Sequence, residues 1–466
     1  MFDRLVKEIR SYHVFSNVWP ETEWAKDLPA LERELLEAPG RDELLLALCH
    51  LSNHLRDGHL TFSACPRAKG PKERAVLPVA FALAGSYEAP SFIVTEAERA
   101  SGVAPGDVLL SYDGVTSAGL LEHYRFELSG AHVGVRLEQL TELLHARYSF
   151  GQPGLAGTGV TVTVRHGTAV MNAQPQFAVA DPRAIGVPSP GDCPALSRDY
   201  AGEYELVEVG AHVCLYRARR APFAQYPIIR QLSFLYAAGE LAADHARVQA
   251  FLAQTPPVAG VLLDLRDNFG GIAADYFLPW YSSGAYRGAS EWLHLRRELD
   301  DRARLRAALR SDAAVDEYLR RATEGGDWWV RPFDCDHGDC QGARARALHR
   351  VSAAPVALLL GPGCRSSCDT FTAIWTRERF GPTAGTPPSA MYTSVRYPLP
   401  VALGDEPLGD FEIALCGLRF DDDEPWLEGR ALPIDSFVEP GWPERPYDRS
   451  LLLAAVRALA LDSNRR

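Results

Sequence analysis

A serine pair, Ser366-Ser367, stands where the apolar run VALLLGPG gives way to SSCDTFTAIWTRERF. The run predicts a buried strand ending at Gly361-Pro362-Gly363, and the second pattern a helix that opens at the serines. A hydroxyl at a strand-to-helix corner is exposed above its sheet. The backbone N–H groups that follow point the same way and can stabilise an oxyanion. A serine ahead of a helix is also an ordinary N-cap, so both roles stay open on this segment alone. A second segment, GVLLDLRDNFGG (260–271), ends a buried strand on Gly270 and Gly271. Two glycines there let backbone N–H groups approach a ligand closely, and they also suit a plain turn. A third, Asp57-Gly58-His59, offers an imidazole, the usual base for a serine hydroxyl. It is one of 13 histidines in the chain, most of which need no chemical role.

Residues this far apart need a fold to bring them together. Leu44, Leu45, Leu48, Leu51 and Leu55 recur at helical spacing behind the acidic start Asp42-Glu43. They predict a buried helix face running into the D-G-H segment, where Gly58 breaks it. From about residue 76 the pattern turns to short β runs, VLPVAFALA and SFIVTEA, and later to Val160, Val162 and Val164 alternating with threonine. Residues 171–199 contain Pro175, Pro182, Pro188, Pro190 and Pro194 and predict a linker. Beyond residue 200 short apolar strands alternate with helices, the pattern of a parallel or mixed α/β sheet. VEVGAHVCLYRA reads as one strand of it. Asp264 and Arg266 are costly to bury unpaired and predict partners nearby. A charged insertion, 283–350, is helical around RRELDDRARLRAALRSDAAVDEYLRRA.

The 466 residues carry a formal net charge of −12, with 47% hydrophobic and 23% charged residues. That is an ordinary globular composition, and the acidic balance argues against a nucleic-acid partner. No apolar run reaches the length needed to span a bilayer, and the charged start MFDRLVKEIRSYHVF predicts no signal peptide, so the expected location is cytoplasmic. Lysine occurs only at positions 7, 26, 69 and 72. Any mechanism needing a lysine beyond Lys72 is therefore excluded. The 9 cysteines do not make a small disulfide scaffold. Cys335 and Cys340 flank His337, a set of soft-metal ligands with no evident fourth member, so a loop disulfide or two separate thiols is the stronger expectation. Cys364 and Cys368 flank the serines and are expected to pack there.

In order along the chain, LRDGHL, GDVLLSYDG, DLRDNFGG and SSCDTF resemble the C-terminal-processing and tricorn-core serine peptidase family, across nearly the whole chain. The resemblance implies an α/β fold with an N-terminal helical segment (1–70) and an inserted PDZ-like β domain (75–170, itself carrying an insertion). After the linker (171–199) it implies a crotonase-like catalytic domain (200–466). In the family the nucleophile precedes an acidic residue by three and an apolar one by five, and Asp369 and Phe371 then select Ser366 over Ser367. The same resemblance implies an oxyanion hole from the N–H of Ser367 and of Gly270 or Gly271. One branch of the family uses a lysine downstream of the nucleophile; here that region reads GTPPSAMYTSVRY, and arginine does not deprotonate. The other branch uses the histidine of the D-G-H segment, which is His59.

That branch also has a C-terminal glutamate in the histidine network. WLEGRALPIDSFVEP matches its segment and nominates Glu428 to orient His59, with Asp57, Glu424 and the run 421–423 as competitors. No metal or organic cofactor is required. The implied partner is a peptide or protein substrate, with homo-oligomerisation left open. GVAPGDVLLSYDG resembles the end of a PDZ domain, but no G-L-G-F-type carboxylate loop lies near 76–83, so tail binding and a structural or gating role are equally supported. The insertion with Trp328 and Trp329 is a candidate lid or specificity wall, and at least one of those rings belongs in a core. Two rival functions remain: another acyl transfer (ester hydrolysis or peptide cyclisation) and peptide binding without turnover. A crotonase-type acyl-CoA enzyme is a weaker third.

Overall fold

The computed structural model describes residues 2–14, 25–59, 61–65, 74–130, 132–148, 157–180, 190–193, 200, 202–237, 239–255, 258–271, 277–282, 289–332, 350–421, 423–438 and 446–463. Cys335 and Cys340 lie outside them. The chain is mixed α/β. Its central feature is a seven-stranded sheet in the order Tyr204–Val209, Val213–Ala218, Ile228–Gln231, Val261–Asp264, Val356–Leu360, Thr383–Gly385, Ser436–Phe437. The first three strands run antiparallel, and every pairing from Ile228 onward is parallel. Parallel pairing needs crossovers, and helices Glu240–Gln254 and Ser367–Glu378 supply them. VLLD and VALLL are buried along their whole length, as strands covered on both faces must be. Truncating Leu358 to alanine in this layer would cost about 2–5 kcal/mol.

A second, five-stranded sheet lies apart from the first in its pairing. It joins Thr61–Phe62, Ser290–His294, Trp328–Pro332 and the long hairpin Ser394–Leu403 with Glu406–Arg419. Helices Phe2–Tyr12, Leu28–Leu36 and Arg41–His54 cover one part of it, burying Leu45, Leu48 and Leu51 with Phe62, Phe411 and Ile413. Helices Arg302–Leu309 and Asp312–Glu324 bury Leu305, Leu309 and Tyr318 with Tyr397 and Leu415 of the same sheet. A six-stranded sheet over residues 79–173 has its own core, to which helix Val133–His145 contributes Leu137, Leu140 and Leu144.

Three expectations are revised. VEVGAHVCLYRA is not one strand: Gly210 reverses it into a hairpin, and the buried carboxylate of Asp244 holds the turn through the N–H groups of Ala211 and His212 (2.9 and 2.8 Å). The proline-rich stretch is not all linker. Ala178–Ala180 pairs with Arg74–Val76, the carbonyl of Pro175 accepts from the N–H of Val160, and Cys193 is disulfide-bonded to Cys214. Proline lacks a donor but keeps its acceptor, so prolines can sit beside strands. Finally, Cys364 and Cys368 do more than pack: they form a disulfide.

Trp328 stacks on His294 (4.7 Å between ring centres) and lies beside Trp292 and Trp426, while Trp329 faces Arg321 and Arg331. Both rings are half-buried on a strand of the second sheet.

Candidate active site

The serine segment is built by the central sheet. Strand Val356–Leu360 ends, the chain turns, and helix Ser367–Glu378 starts. Ser366 sits at the corner with φ 58° and ψ −119°, a conformation that costs a non-glycine residue about 1–3 kcal/mol. It makes no side-chain cap to the helix, so the N-cap role fails for this residue. A strained corner with a half-buried serine is the geometry of a nucleophile elbow. Ser367 is different. It is buried and donates its hydroxyl to the carbonyl of Gly271 at 2.8 Å, so that hydroxyl is committed to structure.

Several contacts hold the corner in place. Arg365 N–H donates to the carbonyl of Asn268 (2.9 Å), and its guanidinium meets Glu138 of helix Val133–His145 at 2.7 Å. The Cys364–Cys368 disulfide closes the turn around both serines. Asp369, fully buried, accepts from the Ser389 hydroxyl (2.5 Å) and from the N–H groups of Ala390 (2.7 Å), Met391 (3.1 Å) and Ser366. Burial pushes its carboxyl up to about 7 despite those donors. Asp369 thus ties the elbow to loop 389–393, which leads into the second sheet.

Gly270 and Gly271 lie beside the elbow at φ 92° and 143°. A Cβ on Gly270 would fall 2.8 Å from the Ser366 Cβ, and one on Gly271 2.3 Å from backbone atoms of Phe234 and Leu235. The sequence left the oxyanion donor open between them. The Gly270 N–H donates to the Asn268 side-chain oxygen (2.9 Å), whereas the Gly271 N–H has no acceptor among the described residues. Asn268 in turn donates to the carbonyl of Gln231 (3.0 Å). Asp264 pairs with Arg266 at 2.7 Å and takes the Tyr200 hydroxyl at 2.8 Å, as its burial required. Burial alone would raise its carboxyl, but Arg266 and Arg230 hold it well below the ordinary range.

His59 arrives from the other sheet. Helix Arg41–His54 delivers the chain to the D-G-H turn, and Thr61–Phe62 then pairs with Glu412 and Phe411. The Cys49–Cys65 disulfide closes this loop around residues 57–59. His59 Nδ1 lies 3.0 Å from the Thr393 hydroxyl, which lies 2.7 Å from Asp57. Burial lowers the imidazole to about 4; Asp57 opposes the shift and Arg396 adds to it. His59 is therefore neutral at pH 7. Glu428 is buried and takes the N–H groups of Tyr392 (2.5 Å) and Thr393 rather than the imidazole. Burial first and the charge of Asp57 second push its carboxyl well above the usual range. Glu424, one of the competitors, pairs with Arg377 instead.

His59, Ser366, Ser367 and Gly271 all line one cavity of about 320 Å³. Ala307–Arg310 forms one wall, so part of the 283–350 insertion borders the site. Met391–Arg396 and Leu418 form others. Of the nominated residues, only Gly270 and Glu428 stand behind the cavity surface. Sequence reading gave no role to Thr393, Asn268 or His13. Asn268 was visible within DLRDNFGG; Thr393 and His13 carry no local signal.

The molecule is thus a mixed α/β protein with a strained serine and a neutral histidine at one cavity, beside backbone N–H groups that have no acceptor among the described residues. No protein-family profile matches the chain, and no curated protein matches its sequence. Solved structures do. Mature CPAF complexed with lactacystin superposes with a TM-score of 0.62 at 12% identity, over 99% of this chain and 96% of that one. A second structure of mature CPAF gives 0.62 at 12% identity, over 98% and 94%. The photosystem II D1 C-terminal processing protease gives 0.40 at 14% identity, over 97% and 96%. The chain shares the CPAF fold over nearly its whole length.

Proposed function

We propose that this chain is a serine peptidase that hydrolyses peptide bonds with Ser366 as nucleophile and His59 as base. The observation that carries the reading is the shared cavity: residues 307 positions apart in sequence, reached from two different sheets, meet beside the Gly271 N–H, which has no acceptor among the described residues. Ser366 Oγ adds to the peptide carbonyl while His59 takes its proton. The Gly271 and Ser367 N–H groups hold the oxyanion. His59 then protonates the leaving amine, and water attacks the acyl-serine with His59 again as base. The parallel core supports a crotonase-like assignment of residues 200–466, and the separate sheet at 79–173 supports a PDZ-like one. The Glu138–Arg365 pair gives that second unit a direct hold on the elbow.

Three disulfides among the described cysteines favour an oxidising compartment over the cytoplasm expected from the first residues. Among the described residues no helix is long and apolar enough to cross a membrane. The function is tested by incubating the purified chain with a mixed peptide pool and reading products by mass. Hydrolysis by the wild type that disappears in Ser366→Ala supports it. Products that gain an added amine instead of water would assign acyl transfer, and peptide retention without any product would assign a binding protein.

A further inference from the structure

We propose that His59 is set in its working tautomer from behind by a chain of three side chains, Thr393, Asp57 and His13, and that Asp57 rather than Glu428 is the carboxylate that orients it. This rests on the Ser366–His59 reading above.

The direction of each proton follows from what each group can do. Asp57 is fully buried, and its two oxygens meet three donors: His13 Nε2 at 2.9 Å, the His59 backbone N–H at 2.9 Å and the Thr393 hydroxyl at 2.7 Å. Burial would raise its carboxyl, but the His13 hydrogen bond and charge, the charge of His59 and the Thr393 hydroxyl together lower it to about 2. Ionised, it can only accept. Thr393 has a single hydroxyl proton, which goes to Asp57. Its oxygen then offers only lone pairs to His59 Nδ1, 3.0 Å away. That ring nitrogen must carry the hydrogen, leaving the Nε2 lone pair bare. A base for Ser366 needs that form.

Glu428 cannot do this from where it stands. It takes the backbone N–H groups of Tyr392 (2.5 Å) and Thr393, and no ring nitrogen. It steadies the backbone beneath Thr393 and stays off the ring. His13 completes the far end. Its own N–H closes onto Ile9 of helix Phe2–Tyr12, and the next residue, Val14, donates to Ala414 of the second sheet (both 2.9 Å). The N-terminal helix therefore reaches the site through one imidazole. The other charges around these groups are Arg396, paired with Glu412, beside His59; Asp369 and Asp57 beside Glu428; and His294 beside His13.

The test compares the full-length wild type with Thr393→Ser, Thr393→Val, Asp57→Asn, His13→Phe and Glu428→Gln. The readouts are fluorophosphonate labelling rate against pH and the ¹⁵N signals of histidine-labelled protein, with His59→Ala to assign the His59 ring. The wild type should show Nδ1 protonated and Nε2 bare. Thr393→Ser should label within about threefold of wild type, while Thr393→Val should lose at least about tenfold. In Asp57→Asn the oxygen that takes both the Thr393 hydroxyl and the His59 N–H stays as a neutral amide oxygen, so the charge is lost, that contact weakens and labelling should fall at least about tenfold. Glu428→Gln should stay within about threefold, and His13→Phe should fall between Thr393→Ser and Asp57→Asn. Thr393→Val is close to isosteric, so a melting temperature near wild type keeps it informative even where Asp57→Asn fails to fold. A Thr393→Val protein that labels like wild type, a Glu428→Gln loss exceeding that of Asp57→Asn, or a wild-type ring protonated at Nε2 overturns the proposal. The tautomer is read without turnover. An unlabelled wild type with Nδ1 protonated would overturn the peptidase reading and leave this orientation standing.

Discussion

The serine half and the histidine half of the cavity are built in opposite ways. Ser366 is positioned by one strand, one turn and one helix that follow each other in sequence, with the glycine turn of the adjacent parallel strand against it. His59 is positioned by Asp57 of its own turn and by two residues from distant segments, Thr393 and His13. Each half is also closed by a disulfide, of 4 residues' separation around Ser366 and 16 around His59. A local device tolerates change elsewhere in the chain. An assembled one fails when any contributor leaves, so the histidine half is where this fold is fragile and where it can be tuned.

The largest expected effect breaks the local half. Gly271→Ala puts a methyl 2.3 Å from the Phe234 and Leu235 backbone and displaces the N–H that the proposal assigns to the oxyanion. Labelling by fluorophosphonate should fall at least about 10²-fold, the scale of losing one such donor. A rate near wild type would remove Gly271 from the hole.

The next prediction concerns pH and the assembled half. His59, the proposed base, is neutral wherever pH exceeds its lowered value of about 4 and is lost as a base by protonation below that. Labelling rate should therefore hold level from pH 7 to about 5 and decline with a midpoint near 4. A midpoint near the ordinary histidine value would show an imidazole more open to water than this structure has it.

A smaller effect separates the two disulfides. Chain-entropy arguments give about 2 kcal/mol for closing the short loop and about 3 kcal/mol for the longer one. Cys49→Ser with Cys65→Ser should lower the melting temperature more than Cys364→Ser with Cys368→Ser. The short clamp should show instead as slower labelling at nearly unchanged stability. Equal labelling in both pairs would mean that neither loop holds its residue in place.

The contrast between the halves also explains what could be read from the sequence. The elbow was legible because its parts are contiguous: VALLLGPG, the serine pair and an amphipathic helix state a strand, a corner and a helix in order. Choosing between Gly270 and Gly271 was not possible, because it depends on Asn268 folding back onto one N–H. Thr393 stands 334 residues from His59, and no periodicity links them. His13 looked like one more residue of an amphipathic start. The Ala178–Ala180 strand was hidden by the prolines around it; the carbonyl of Pro175 still takes the Val160 N–H. Cys364 and Cys368 were visible as neighbours, but only the turn between them brings their Cα atoms within 5.3 Å.

The most direct test of the central claim is intact-mass labelling of the wild type, Ser366→Ala, Ser367→Ala and His59→Ala with a fluorophosphonate. One adduct on the wild type, kept in Ser367→Ala and lost in Ser366→Ala and His59→Ala, is the predicted result. An adduct that survives Ser366→Ala, or a wild type that takes none under native conditions, would contradict it.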